Sequence, residues 1–128
     1  MPIRHNPATV APPFSAYSHA VEVGSGARWL HVSGQVGVQP DGNVPDEPGA
    51  QMEQAWRNAL AVVNAAGMGL EDVVKVTAYL TRPEDVGLFR EVRDTLLDGA
   101  QPASTLVIVA GLAHPDWLVE IEVIAAAE

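Results

Sequence analysis

The stretch that decides the fold is Pro102-Ala-Ser-Thr-Leu-Val-Ile-Val-Ala-Gly-Leu112, followed after a short break by Leu118-Val-Glu-Ile-Glu-Val-Ile124. Both runs are rich in β-branched residues, which favour extended strands. The intervening Ala113-His-Pro-Asp116 contains a proline and an aspartate, two residues that are typical of turns. This arrangement predicts two antiparallel strands joined by a Pro-containing turn.

The second run alternates strictly between apolar and acidic residues. Val119, Ile121 and Val123 fall on one face of an extended strand, whereas Glu120 and Glu122 fall on the other. Such a strand covers a core with one face and presents carboxylates on the opposite face. We also expect the short polar residues that begin the first run to lie where a reactive centre could sit.

The overall composition excludes several classes of protein. The 128 residues include 7 basic and 16 acidic side chains, for a formal charge of −9, and no cysteine. The lack of cysteine excludes disulfides, thiolate nucleophiles and zinc–thiolate sites. Nucleic-acid binding is not expected, because the chain has no cluster of Lys and Arg. No apolar run approaches the ~20 residues of a membrane span, and with no N-terminal signal segment we expect the cytoplasm.

Upstream of the C-terminal strands, the apolar pattern changes between strand and helix periods. Residues 14–23 alternate weakly and lead through Gly24-Ser-Gly26 into residues 28–38, which predicts a pair of strands. Residues 47–66 repeat apolar side chains every three or four positions, as in an amphipathic helix. Residues 72–80 form the next predicted strand.

A second helix is predicted after this strand. Thr81-Arg-Pro-Glu84 has the pattern of a capping box, and an apolar stripe on the following residues ends near Gly99. The members of that stripe are Val86, Phe89, Val92 and Leu96. The predicted order is therefore ββαβαββ in one domain over residues 1–128.

Two helices cannot cover both faces of a sheet of this size. One face would pack against the helices, and the other would expose strand residues such as Tyr17, Trp29 or His31. An exposed face of this kind usually marks a subunit interface. We therefore expect a homo-oligomer.

Several blocks of this sequence, in the same order, resemble the Rid family of reactive intermediate deaminases, also called the YjgF or L-PSP family. The resemblance covers nearly the whole chain. The blocks are Tyr17-Ser-His-Ala-Val21, Val32-Ser-Gly-Gln35, Gln54-Ala-Trp-Arg-Asn-Ala-Leu60, residues 65–80 and Val119-Glu-Ile-Glu-Val-Ile124. The resemblance implies an α+β fold similar to chorismate mutase, with a mixed sheet, two helices on one face, and a homotrimer with three clefts between subunits. It also implies hydrolysis of imines and enamines without a cofactor.

The resemblance also implies roles for individual residues. Glu120 corresponds to the carboxylate thought to position the hydrolytic water, Tyr17 to a tyrosine of the cleft, and Gly34 to a glycine whose backbone contacts the ligand. Ser104 stands where the family has the arginine that binds the substrate carboxylate. Arg90 stands where many members have an asparagine on the second helix.

The loss of that arginine bears directly on the substrate. A guanidinium binds a carboxylate through two charge-assisted hydrogen bonds, whereas a serine offers one neutral hydroxyl. Hydrogen bonds to charged groups contribute roughly 1.5–3 kcal/mol each, so the substrate is not expected to be a standard 2-imino acid. Ser104 and Thr105 could instead bind a less polar ligand, and Arg90 could replace the missing cation. Ser104 and Thr105 could equally form an exposed strand start, and Arg90, with Glu91 and Arg93 beside it, has the surroundings of a surface arginine.

Three functional hypotheses follow. The first is a cofactor-independent deaminase in which Glu120 activates water, in contrast to Glu122, which we expect to be solvated and unpaired. The second is a non-catalytic ligand-binding or stress-protective trimer. The third is an enzyme of specialised metabolism that has reused the cleft. We expect no metal, because His5, His19, His31 and His114 do not have the spacing of metal ligands.

Overall fold

The computed structural model describes residues 2–128, and within them six strands and two α-helices. The elements are β1 (Ile3–His5), β2 (Ala20–Glu22), β3 (Arg28–Val36), α1 (Pro48–Ala65), β4 (Val73–Leu80), α2 (Val86–Leu97), β5 (Ala103–Ile108) and β6 (Val119–Ala127). None of the helices in this part of the chain is long and apolar enough to cross a membrane.

The principal sheet has four strands in the order β3-β6-β4-β5. Strands β4 and β5 are parallel, and the pairs β3–β6 and β4–β6 are antiparallel. Both helices and one face of this sheet contribute side chains to one apolar core. The α+β fold, with a mixed sheet and two helices packed on one face, is as predicted.

Alternation along the central strands separates a covered face from an open face. On β6, Val119, Ile121 and Val123 are completely buried against the helices, which confirms the prediction for this strand. Glu120 pairs in register with Tyr79 of β4, and Glu122 pairs with Thr77. These four side chains lie on the open face, where no helix packs.

The two C-terminal strands run in opposite directions, but they are not neighbours. The prediction that they form a joined pair is wrong, because β4 lies between β5 and β6. Strand β5 follows β4 through helix α2, and a strand–helix–strand unit places its two strands side by side and parallel. Strand β6 then occupies the centre of the sheet and pairs on both sides.

The predicted N-terminal hairpin is also wrong. Strand β2 pairs with β1 in a separate two-stranded sheet, and β3 pairs only with β6. The cause lies before β2, where Ser18 is held at the start of β5. Its amide donates to Pro102 O at 3.0 Å, and its hydroxyl donates to Gln101 O at 2.6 Å. Tyr17 therefore lies at the β5 edge rather than on the open face, whereas Trp29 and His31 are exposed on that face as expected.

The sequence predicts the limits of α1 correctly but not the start of α2. Helix α1 follows the prediction and ends before Gly67, whose φ of +76° favours glycine. The capping box at Thr81 is not formed, because Pro83–Asp85 is a 3₁₀ turn and α2 starts only at Val86. In its place, Arg82 donates two hydrogen bonds to the buried Asp85, at 2.8 and 3.0 Å.

The helix layer is fixed by one aromatic pair and one buried amide. The rings of Trp56 on α1 and Phe89 on α2 stack with their centroids 6.2 Å apart, and both are fully buried. Gln51 is 2% exposed and donates to Pro45 O and Asp116 O, each at 2.9 Å. This amide ties the loop before α1 to the loop before β6.

Candidate active site

A small pocket opens beside β5, where the segment before β2 meets helix α2. Its volume is about 190 Å³. The lining residues come from three parts of the chain and are Phe14, Ser15, Tyr17, Arg90, Arg93, Ser104 and Leu106. Three of the residues identified from the sequence, Tyr17, Ser104 and Arg90, therefore share one cavity.

Tyr17 is positioned by its neighbours in the N-terminal segment. Its hydroxyl accepts a hydrogen bond from the amide of Phe14 at 3.2 Å. Its ring and the ring of His19 form a T-shaped pair with their centroids 6.0 Å apart. Ser18, the next residue, is anchored to β5 through Gln101 and Pro102. This backbone connection explains why the tyrosine reaches the pocket although it lies far from β5 in sequence.

Ser104 and Thr105 do not act together, because adjacent residues of a strand point to opposite faces. Ser104 pairs in register with the buried Val76 and points toward α2. Thr105 pairs with Thr77 on the open face. There its hydroxyl oxygen accepts a hydrogen bond from Lys75 Nζ at 2.7 Å. Thr105 therefore lies on the opposite face of β5 from Ser104 and does not line this pocket.

Glu120 and Gly34 form a second cluster on the open face. A β-carbon at Gly34 would overlap Glu120 Oε2 and lie 2.7 Å from Glu120 Cδ, so the carboxylate occupies the space that a side chain would need. Gly34 sits at an irregularity of β3, where the pairing register shifts between Val32 and Gln35. Among the described residues, the side-chain carboxylate of Glu120 has no hydrogen-bond or ion-pair partner.

The neighbouring carboxylate behaves differently. Tyr79 donates to Glu122 Oε1 at 2.8 Å, so the expectation that Glu122 is unpaired is wrong. This hydrogen bond, together with desolvation and the charges of both glutamates, raises the pKa of the Tyr79 hydroxyl above its ordinary value. Of the two glutamates on the open face, Glu120 is therefore the one whose carboxylate remains available for water or ligand.

The pocket and the Glu120–Gly34 cluster are separated by the sheet itself. Ser104 lies on the outer strand β5 and on the covered face, whereas Glu120 lies two strands away on the open face. Neighbouring strands are about 4.8 Å apart, so the two clusters of one chain do not face a common cavity.

Arg93 is the functional candidate that the sequence did not reveal. It is 3% exposed, lines the pocket, and donates from Nη2 to Ser15 Oγ at 3.0 Å. The predicted apolar stripe is confirmed, since Phe89 is buried and Val86, Val92 and Leu96 pack against the core. The stripe did not include the other two buried positions of α2, Arg93 and Leu97. A charged residue four positions after a buried phenylalanine was the signal that could have identified it.

No group of three or more His, Asp or Glu side chains within residues 2–128 is arranged to hold a metal ion. The groups that the candidate site offers to a ligand are hydroxyls, guanidiniums, one free carboxylate and backbone groups.

The fold and these two clusters define a class of small α+β proteins with a polar pocket at a sheet edge and a free carboxylate on the open sheet face. The chain belongs to the Rid (YjgF/L-PSP) family: residues 8–127 match the family described as Endoribonuclease L-PSP.

Relatives support this assignment along nearly the whole chain. A 2-iminobutanoate/2-iminopropanoate deaminase of Mus musculus is 36% identical over 121 residues, which cover 93% of this chain and 84% of the mouse protein. The crystal structure of a Rid-family protein from Yersinia pestis superimposes with a TM-score of 0.89, at 34% identity, and covers 98% of both chains. Escherichia coli TdcF, solved with bound serine, gives a TM-score of 0.75 at 30% identity and covers 91% of both chains.

Proposed function

We propose that this protein is a cofactor-independent hydrolase that converts a small imine or enamine into a carbonyl compound and ammonia. The observation that carries the proposal is the unpaired carboxylate of Glu120, held against a glycine that leaves room for it. The relationship to a mouse 2-iminobutanoate/2-iminopropanoate deaminase supports the same chemistry.

Glu120 has the surroundings of a general base. It is half-buried, it makes no competing hydrogen bond with a described residue, and it lies beside the Gly34 backbone. A carboxylate of this kind can hold a water molecule and accept its proton. Glu122 is less suitable, because one of its oxygens already accepts from Tyr79.

The reaction balances with water as the only co-substrate. The water oxygen adds to the carbon of the C=N bond while Glu120 accepts a proton from that water. Glu120 then returns the proton to nitrogen, which gives a carbinolamine. The carbinol hydroxyl gives its proton through Glu120 to the nitrogen, the C–N bond breaks, and ammonia leaves as the carbonyl forms. An enamine reaches the same step after its carbon gains a proton and its nitrogen loses one, which gives the imine.

We further propose that the complete cleft forms between two copies of the chain in a homotrimer. One copy would supply Glu120 and Gly34, and its neighbour would supply the pocket with Tyr17, Ser104 and Arg90. The separation of the two clusters by the sheet supports this arrangement, since one chain cannot bring them together. The exposed Trp29 on the open face is consistent with burial in an assembly.

The site suits a small metabolite better than a nucleic acid. The volume of the pocket is about 190 Å³, which accommodates a small molecule rather than a polymer. The chain carries a formal charge of −9, and a phosphate backbone binds through clusters of basic residues. We therefore do not extend the word endoribonuclease, which describes the family, to this chain.

The test is ammonia release from imines generated in situ, with Glu120→Gln as the decisive variant. General base catalysis contributes typically 10²–10⁴-fold, so the rate above the uncatalysed background is expected to fall by about that factor. Glu122→Gln is the matched control, because it makes the same chemical change two residues along the same strand face. We expect it to retain wild-type turnover.

Circular dichroism and light scattering would establish that both variants keep the fold and assembly of the wild type. Equal turnover in wild type and Glu120→Gln would refute the role of the carboxylate. A wild type that binds a ligand in calorimetry but releases no ammonia from any imine would favour the non-catalytic alternative.

A further inference from the structure

Arg93 lies at a buried position of helix α2, where a core normally contains an apolar residue. Phe89 precedes it by four positions and Leu97 follows it by four, and all three side chains are buried. Burying a charged group costs free energy even when it is paired, and apolar residues of similar volume often stabilise a fold as well or better. The stability of the core alone therefore does not explain this arginine.

The partners of Arg93 show what its side chain connects. Its Nε donates to Asp94 Oδ1 at 3.1 Å, and its Nη2 lies 3.0 Å from the same oxygen. Asp94 is the next residue of the same helix, so this ion pair compensates charge within α2. Nη2 also donates to Ser15 Oγ at 3.0 Å, and Ser15 is 78 positions away in sequence. Ser15 is therefore the contact through which Arg93 reaches another part of the chain.

Ser15 lies in the middle of a turn that contains Tyr17. The amide of Tyr17 donates to Ser15 O at 2.9 Å, and the amide of Phe14 donates to the Tyr17 hydroxyl oxygen at 3.2 Å. These two hydrogen bonds join residues 14–17 into one unit, so that a displacement of Ser15 would also displace the Tyr17 hydroxyl. A contact that fixes Ser15 therefore also fixes the tyrosine of the pocket.

Few other contacts hold this turn. Residues 12 and 13 are prolines and have no amide hydrogen to donate, and Phe14 is 83% exposed. Among the described residues, the hydrogen bond from Arg93 is the only one that joins residues 12–17 to another secondary-structure element. The next attachment is Ser18, which is bonded to the residues just before β5. A segment with so few hydrogen bonds opens more easily than the core.

We propose that Arg93 is a positioning residue: through Ser15 it holds the turn of residues 14–17 against α2 and keeps the Tyr17 hydroxyl at the pocket. Arg93 acts through the tyrosine and not by contact with the reacting atoms. The proposal rests on the proposed function, because Tyr17 lines the pocket of the candidate active site. It also explains why α2 buries a charged residue, since a guanidinium has several donors and can bond to Asp94 and Ser15 at once.

The first experiment measures the order of the turn without measuring activity. Chymotrypsin cleaves after aromatic residues, and mass spectrometry distinguishes cleavage after the exposed Phe14 from cleavage after the fully buried Trp56. Ser15→Ala removes the acceptor of the Arg93 hydrogen bond. One hydrogen bond to a charged group corresponds to about tenfold to a hundredfold in an opening equilibrium, so cleavage after Phe14 should become faster by about that factor.

Val63→Ala is the control for a general loss of stability, because Val63 is buried in the core. This variant should accelerate cleavage after Trp56, which requires global unfolding, and should change cleavage after Phe14 by less than about threefold. If it accelerated cleavage after Phe14 as much as Ser15→Ala does, the turn would open only with the whole chain, and the inference would be overturned.

Arg93→Met tests the donor of the same contact. If the two side chains act as a pair, adding Ser15→Ala to Arg93→Met should accelerate cleavage after Phe14 by less than about twofold beyond Arg93→Met alone. Independent, multiplied effects of the two changes would overturn the inference. Because Ser15→Ala leaves the buried arginine in place, the test does not depend on the folding of the Arg93 variant.

The second experiment measures whether the effect on turnover passes through Tyr17. Ser15→Ala should lower kcat/KM for imine hydrolysis by about tenfold, because the hydroxyl in the pocket is misplaced. In the Tyr17→Phe background the same change should have less than about a twofold effect, since that hydroxyl is already absent. Ser15→Thr keeps an acceptor for Arg93 and should restore kcat/KM to within about threefold of wild type. Ser25→Ala is the matched control, because Ser25 is exposed and lies outside the pocket.

Failure of this inference and failure of the proposed function give different results. If Ser15→Ala accelerates cleavage after Phe14 but the wild type releases no ammonia from any imine, the role of Arg93 in holding the turn stands and the enzymatic proposal falls. If imines are hydrolysed and Ser15→Ala changes neither cleavage nor kcat/KM, the inference is overturned while the enzymatic proposal stands. Equal losses of kcat/KM with and without the Tyr17 hydroxyl also overturn the inference.

Discussion

Alternate residues of β4 and β6 point to opposite faces of the four-stranded sheet, and the two faces differ in polarity and in burial. The covered face contains Val76, Leu80 and Ile121, all fully buried against the helices. The open face carries Tyr79 and Glu120, along with Lys75, Thr77 and Glu122. A period of two thus places the apolar core on one face and the polar side chains on the other. One chain completes the first face, whereas the second gains its function in our proposal only against another copy.

The largest expected difference between the two faces is in the free energy of unfolding, and it is tested by replacing one tryptophan on each side of the sheet. Trp56 on α1 is fully buried in the core on the covered side of the sheet, and Trp29 is 55% exposed on the open face. Replacing a buried Trp with Ala typically costs about 3–5 kcal/mol, so Trp56→Ala should lower the free energy of unfolding by that amount. Trp29→Ala should change the folding of the isolated chain by less than about 0.5 kcal/mol.

Urea unfolding at two protein concentrations tests this difference. The effect of Trp56→Ala should be the same at both concentrations, because its cavity lies within one chain. The effect of Trp29→Ala should grow with concentration, since it weakens association through the open face. Similar, concentration-independent losses for both variants would contradict the assignment of the open face as an interface.

A smaller and sharper contrast comes from two glycines near the end of β3. A β-carbon at Gly37 would lie 2.6 Å from Gln51 O and 2.8 Å from Gln51 Cα, which belong to the backbone of α1. The three atoms nearest to a β-carbon at Gly34 would all belong to the flexible side chain of Glu120. Gly37→Ala should therefore destabilise the fold by about 1–3 kcal/mol. Gly34→Ala should cost less than about 0.5 kcal/mol, because the carboxylate can rotate away.

Activity should respond in the reverse order. Gly34→Ala displaces Glu120 and is expected to reduce ammonia release to near that of Glu120→Gln, whereas Gly37→Ala should keep its turnover at temperatures where it remains folded. Thermal unfolding and ammonia release, measured on the same preparations, check both statements. An active Gly34→Ala enzyme would show that the position of this carboxylate does not matter.

Sequence patterns predicted the alternation of β6, the span of α1 and the mixed α+β class, since these depend on local periodicity and on glycine at a helix end. They did not predict which strands are neighbours, because pairing across a sheet depends on contacts between distant segments. Ser18 shows this: two hydrogen bonds to residues 101 and 102 draw the N-terminal segment away from β3. Arg93 was missed for a related reason, since its burial depends on the loop that supplies Ser15.

The smallest expected effect concerns the titration of Tyr79, which reports directly on the open face. Its pKa is raised first by the hydrogen bond to Glu122, then by desolvation and by the charges of Glu122 and Glu120. Glu122→Gln should therefore lower this pKa toward its ordinary value, and Glu120→Gln should lower it much less. The chain has 2 tyrosines, so a Tyr17→Phe background leaves Tyr79 as the only source of tyrosinate absorbance.

The sign of the linked stability follows from the same shift. Because the folded-state pKa of Tyr79 is raised, its neutral hydroxyl stabilises the folded protein below the ordinary pKa of tyrosine, and this contribution is lost as the pH rises through the raised pKa. Tyr79→Phe should therefore lower stability slightly at neutral pH and converge with the parent at alkaline pH. If Glu120→Gln lowered the pKa of Tyr79 as much as Glu122→Gln, the two carboxylates would share the tyrosine, and Glu120 would no longer be the free base that the catalytic proposal needs.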